Sequence, residues 1–218
     1  MVQRVVKVLV CTGIVFPLTL WAAPQPLISS HVVRDDTAKG KMATMFKSVV
    51  EEKLGDKYEI IIHSNSSLMN DEEVVDAVAG GTIPFAAPAL SKFDRYTQQL
   101  KVFDLPFLFP DIDAANCFQK SPTGQTLLTR MESSGVLGLG YLHNGLKQLT
   151  ATRPFSKPSE LSGLRFRIIY SDVLKKQFEI IDVEPVPMAF SDVYQALADN
   201  RIQGQEKHLV EHLFQSFL

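Results

Sequence analysis

Two groups of residues in this 218-residue chain have types and spacing that could do chemistry. The first is His208-Leu209-Val210-Glu211-His212, which fits H-x-x-E-H. On a helix that spacing brings both imidazoles to one face as zinc ligands, with the carboxylate beside them as general base, as in an inverted zinc peptidase. Such a centre needs a third protein ligand, usually well downstream, and six residues follow His212. A polar helix face in contact with water accounts for the same letters, so a zinc-dependent hydrolase stands only as the alternative. The second group centres on Arg167, set inside the apolar run Leu164–Tyr170. A guanidinium buried without a partner is costly, so Arg167 either pairs with a neighbouring carboxylate or receives an anionic ligand. Its fork matches a carboxylate through two parallel hydrogen bonds, which makes an organic acid the natural ligand for the second case. Other enzyme signatures are missing. Gly138, Gly140 and Gly145 lack the spacing of a phosphate loop, no serine elbow occurs, and Cys117 has no obvious histidine partner in sequence.

The elements that must position these residues alternate between helix and strand. Asp35 or Asp36 can cap a helix whose apolar positions are Ala38, Met42, Met45, Phe46, Val49, Val50 and Leu54, with Gly55 as its stop. Tyr58 to His63 is a compact β-branched strand. Asn70 and Asp71 open a second helix closed by Gly80 and Gly81, and Thr82 to Ala87 reads as a short buried strand. Asp111 starts another helix; Ser121 followed by Pro122 starts the next, which Gly135 ends. Val136 to Leu142 and Leu164 to Tyr170 are predicted strands, while Ser171 and Ser191 each cap a helix. Alternation of this kind predicts an α/β fold with largely parallel sheets. The proline- and threonine-bearing stretch Leu149 to Pro158 suits either a segment crossing between two lobes or an ordinary surface loop.

The N-terminus bears on the compartment. Arg4 and Lys7 precede an uncharged run from Val8 to Trp21 that ends in Ala22 and Ala23, the pattern of a secretory signal peptide. The run is shorter than the ~20 residues needed to span a bilayer, and Pro17 interrupts it, so no membrane anchor is expected. Cys11 lacks the small residues that precede a lipidated cysteine. Cleavage after Ala22 leaves 20 basic against 24 acidic side chains, a net charge of −4, with no electrostatic footprint for nucleic acid. Cys117 alone survives processing, so no intramolecular disulfide can form.

Longer motifs say more. SHVVRDDTAKGKMATMF (30–46), NSSLMNDEE (65–73), APALSKFDRYTQQLKVFDLPFLF (87–109), NGLKQLTATRP (144–154), SELSGLRFRI (159–168) and PVPMAFSDVYQALADNRIQGQE (185–206) occur in this order. Together they make the chain similar to the substrate-binding proteins of tripartite ATP-independent periplasmic (TRAP) transporters, in the dicarboxylate-type branch. The resemblance implies a two-lobe periplasmic solute-binding protein of type II-like α/β architecture that closes on a small organic acid. It implies no catalysis, no metal and no cofactor, and it makes the transporter's membrane subunits the protein partners. It divides the chain into a signal peptide (1–22), a first lobe (23–146) and a partial second lobe (147–218), as in a C-terminally truncated receptor, which leaves a truncated remnant as a further reading. Arg167 falls on the family's signature arginine, Lys147 on its second cation and Phe190 on the aromatic that packs on the ligand. His31, Ser91 and Lys92 match cleft-lining positions of the first lobe. Lys207 stands where family members carry a ligand-contacting asparagine, and is expected to act as a variant contact.

Overall fold

The computed structural model describes residues 23–208. The signal sequence, Glu211 and His212 lie outside the described residues. Two sheets organise the chain. The first has the order β2-β1-β3, built from β1 (Gln25–Ser30), β2 (Tyr58–His63) and β3 (Phe85–Ala86), all parallel. Helix α1 (Ala38–Leu54) crosses from β1 to β2, and α2 (Glu73–Ala79) precedes β3. Two further helices, α3 (Ile112–Lys120) and α4 (Pro122–Leu128), follow. The second sheet runs β4-β7-β5-β6 and comprises β4 (Lys147–Ala151), β5 (Arg165–Ile168), β6 (Glu184–Pro187) and β7 (Gly204–His208). Its β5 pairs in parallel with β6 and β7, while β4 runs antiparallel to β7. Helix α5 (Asp172–Ile180) links β5 to β6, and α6 (Val193–Ala198) links β6 to β7. This is the α/β, parallel-dominated architecture that the alternation of elements predicts.

Several local signals hold. Asp111 accepts from the Ala114 amide at 2.8 Å to start α3, and Ser121 Oγ accepts from Gly124 N at 3.1 Å to start α4. Ser171 Oγ caps α5 by accepting from Leu174 N. Others shift for identifiable reasons. Thr37 caps α1, because the Asp36 carboxylate is taken by Arg34 at 2.8 Å. A side chain at Gly40 would meet the Arg34 carbonyl at 2.5 Å, so the tight entry into α1 requires glycine there. Asn70 Oδ1 accepts from the amides of Glu72 and Glu73, and α2 begins only at Glu73. Helix α4 ends at Leu128; Gly135, at φ +80°, closes instead a short 3-10 turn, Glu132–Ser134. Ser191 donates to Asp192 Oδ1 within the 3-10 turn Phe190–Asp192 and does not cap α6.

Three larger expectations need correction. The α1 face buries Lys39, Gly40 and Ala43, while Met45 is 70% exposed. Part of α1 faces the open edge of β2, where Lys47 Nζ donates to Ile60 O at 2.6 Å and Glu51 accepts from Ile60 N at 3.0 Å. Polar side chains there cover free backbone groups that would otherwise expose an unpaired sheet edge. The run Val136–Leu142 is irregular and belongs to neither sheet, with Leu139 72% exposed; among the described residues no strand pairs with it. Only Phe85 and Ala86 of the run Thr82–Ala87 pair as a strand. The stretch from Leu149 is likewise mixed: it is strand as far as Ala151 and loop beyond.

The second sheet packs Phe166 and Ile168 of β5 against Leu174 and Phe178 of α5, with Leu161 and Val183, all nearly inaccessible. Each such side chain contributes roughly 1.5–3 kcal/mol through burial. On the first sheet, Val74, Val75 and Ile83 pack with Ile28 and Ala86.

Candidate functional site

Arg167 is the third residue of β5 and only 1% exposed. Its Nε donates to the Met188 carbonyl at 3.1 Å, just past the end of β6. Register places Arg167 opposite Gln205 of β7. Opposed residues share a sheet face, and so does the residue two further on, which is Lys207. Lys207 is 2% exposed, and its Nζ sits 3.7 Å from the centroid of the Phe190 ring. A desolvated ammonium over an aromatic face is stabilised by about 2 kcal/mol. Gln205 is also buried, and its Oε1 has no hydrogen-bond partner among the described residues. One face at the end of the second sheet therefore presents Arg167, Gln205 and Lys207, with Phe190 beside them.

Lys147 lies on the other face. The antiparallel register pairs it with His208, and Glu206 shares its side of the sheet. Lys147 Nζ is 2.7 Å from Asp104 Oδ1 and 3.4 Å from Glu206 Oε1. Burial opposes its charge, but Glu206 and Asp104 outweigh that cost and hold its pKa above the ordinary lysine value. His208 is pushed the other way, to about 3, first by burial and then by Lys147, Lys39, Lys207 and Arg167. Its imidazole is therefore neutral near pH 7. His208 ends a strand, so the helical placement that the zinc reading needs fails at its first residue. Glu211 and His212 lie outside the described residues.

The first sheet supplies the remaining expected positions. His31 follows β1, is 2% exposed, and neither ring nitrogen has a hydrogen-bond partner among the described residues. Burial, then Lys39, depresses its pKa, against weaker opposite pulls from Asp35 and the Val33 backbone. Ser91 and Lys92 are both buried in the 3-10 turn Leu90–Phe93. Lys92 Nζ is 3.5 Å from Asp71 Oδ2, is hydrogen-bonded to Glu72, and lies 4.9 Å from the Tyr170 ring centroid of the β5–α5 turn. A hollow of about 1190 Å³ is lined by polar side chains, His31, Lys39, Ser91, Asp104, Lys147, Glu206 and His208 among them, and by many apolar ones. Arg167, Lys207, Phe190 and Lys92 do not line it. The structure thus gathers Arg167, Lys207 and Phe190 together, and places Lys147, His31 and Ser91 around a separate space.

Asp104, Glu206, Gln205 and Lys39 were not anticipated as parts of these arrangements. Asp104 had a legible signal: a lone acid inside the apolar run KVFDLPFLF poses the same question of a buried partner as Arg167 does.

The model of the family described as bacterial extracellular solute-binding protein, family 7, matches residues 29–216. The chain belongs to this family. It is 48% identical over 189 residues to the C4-dicarboxylate-binding periplasmic protein DctP of Shewanella loihica, covering 87% of this chain and 56% of that protein. The chain thus spans little more than half the length of that relative. A TRAP periplasmic solute-binding protein from Shewanella oneidensis, solved with bound succinate, superposes with a TM-score of 0.87 at 46% identity, over 89% of this chain and 64% of that one. A second, from Pseudomonas aeruginosa with bound L-malate, gives 0.84 at 40% identity, over 88% and 67%. The fold of the chain is that of the TRAP solute-binding proteins.

Proposed function

We propose that this chain is an extracytoplasmic solute receptor for a small organic acid of the C4-dicarboxylate type, serving a TRAP-type secondary transporter. The observation that carries the reading is the buried face of the second sheet, where Arg167 and Lys207 stand on adjacent strands with Phe190 beside them. A guanidinium fork supplies two parallel hydrogen bonds to one carboxylate; the ammonium adds a second positive charge, and the ring covers a short carbon chain. Relatives solved with succinate and L-malate support the same ligand class.

Capture would draw the two sheet-bearing units together, at about residues 146 and 147, with His31, Ser91 and Lys92 facing the ligand from the first. Ligand can shift such an equilibrium only by binding the closed arrangement more tightly than the open one. The N-terminal signal and the family support a periplasmic location, and the membrane subunits of the transporter would be the protein partners. No cofactor and no nucleic acid enter this reading. Thermal-shift titration with succinate, L-malate and neutral sugars tests it. Stabilisation by the acids alone is expected; stabilisation by a sugar, or by nothing in the panel, overturns it.

A further inference from the structure

We propose that Asp104 is a positioning residue that pins the first unit to the turn carrying Arg167's strand into α5. Asp104 ends the 3-10 segment Gln99–Asp104 and is 7% exposed. Its three oxygens all reach the second unit. Oδ1 accepts from Lys147 Nζ at 2.7 Å, Oδ2 accepts from Ser171 Oγ at 2.8 Å, and the backbone carbonyl accepts from Gln177 Nε2 at 2.6 Å. Ser171 is also the N-cap of α5, so one hydroxyl joins the cap to the first unit. One turn earlier in the same segment, Lys101 Nζ lies 3.2 Å from Asp172 Oδ2.

Apart from the one to Lys147 at the start of β4, these ties converge on residues 171–177, directly after β5. Charge-assisted hydrogen bonds in a buried setting are stronger and more directional than neutral surface ones. Asp172 is different: its side chain is 89% exposed, and water screens its contact. Asp104 therefore sets the angle at which the two units meet, and through Ser171 it sets the position of the β5 end. The last step, that this geometry tunes ligand affinity, rests on the carboxylate reading above.

The test measures the distance between spin labels at Glu52→Cys on α1 and Lys176→Cys on α5, with Cys11 and Cys117 changed to Ser. Asp104→Asn should broaden the distribution and raise the separated population about tenfold, the loss expected for a charge-assisted bond. Asp172→Asn should leave it unchanged. Melting should move little in Asp104→Asn, because Lys147 and Glu206 remain a matched pair, so broadening without melting separates positioning from general stability. If Asp104→Asn does not fold, Gln177→Leu decides, with a smaller broadening expected. Unchanged distances in the folded Asp104→Asn protein, or in Gln177→Leu when it alone folds, overturn the proposal. Succinate affinity is the second arm, with a fall of about tenfold in Asp104→Asn expected. Absence of succinate binding by the parent protein would remove the carboxylate reading while leaving the distance arm intact.

Discussion

Replacing Lys147 by Met gives the sharpest energetic test of how the two units are joined. Lys147 is shared by two carboxylates, Asp104 and Glu206, whose side chains are 6% and 4% exposed against 26% for the lysine. Methionine fills the stem's volume but leaves two buried negative charges without their cation. Breaking a buried pair by removing one partner costs ~3–5 kcal/mol, and two orphaned carboxylates place this case toward the upper end, tempered by the lysine's partial exposure. Asp104→Asn perturbs the same cluster differently, because it leaves Lys147 and Glu206 matched one to one; about 1 kcal/mol is expected. Urea denaturation of both variants at pH 7, followed by far-ultraviolet circular dichroism, measures the contrast. At ~2–4 °C per kcal/mol for a domain of this size, Lys147→Met should melt ~6–20 °C below the parent. Equal stabilities for the two variants would refute the claim that Lys147 neutralises both carboxylates.

Three further outcomes are expected. Because the folded-state pKa of His208 is depressed to about 3 from an ordinary 6.5, the unfolded chain binds this proton first. Stability from this group is therefore constant above about pH 6.5 and falls as pH drops toward 3, and His208→Asn should flatten that part of a pH–denaturation profile. Gly204→Ala sets a Cβ 2.4 Å from the Phe166 ring, inside the second sheet's core, and should cost ~1–3 kcal/mol in thermal melts. Ser171→Ala removes both the α5 cap and the Asp104 contact, and should speed amide hydrogen exchange across the first turn of α5, with a stability loss of ~1–2 kcal/mol.

What could be read from sequence depended on where burial and polarity agree. The YEIIIH strand, the Arg167 strand and the caps at Asp111, Ser121 and Ser171 all announce themselves, because each rests on local chemistry that its own residues carry. The strand Gly204–His208 does not: GQEKH is polar throughout, yet Gly204 through Lys207 are buried, held by Lys147, the Phe190 ring and neighbouring strands. Its side chains make sense only after the sheet is assembled. β1 was missed because Pro26 and two serines mask a strand that lies at the centre of its sheet. Conversely, Val136–Leu142 has a strand's composition but pairs with no strand among the described residues, and a strand exists only with a partner. Arg167 was singled out by its cost of burial, and the structure supplies Met188 O as one partner. Register shows Lys147 and Lys207 on opposite faces, a relation invisible until β4 and β7 are paired.

In the proposed receptor, Arg167 is the group that receives a ligand carboxylate. Isothermal titration calorimetry of succinate into the parent protein and Arg167→Lys, with circular dichroism confirming that both fold, addresses this directly. One succinate per chain is expected for the parent, with affinity at least tenfold weaker in Arg167→Lys, where the charge remains but the two-pronged bond is lost. Equal affinities in the two proteins, or no succinate binding by the folded parent, would contradict it.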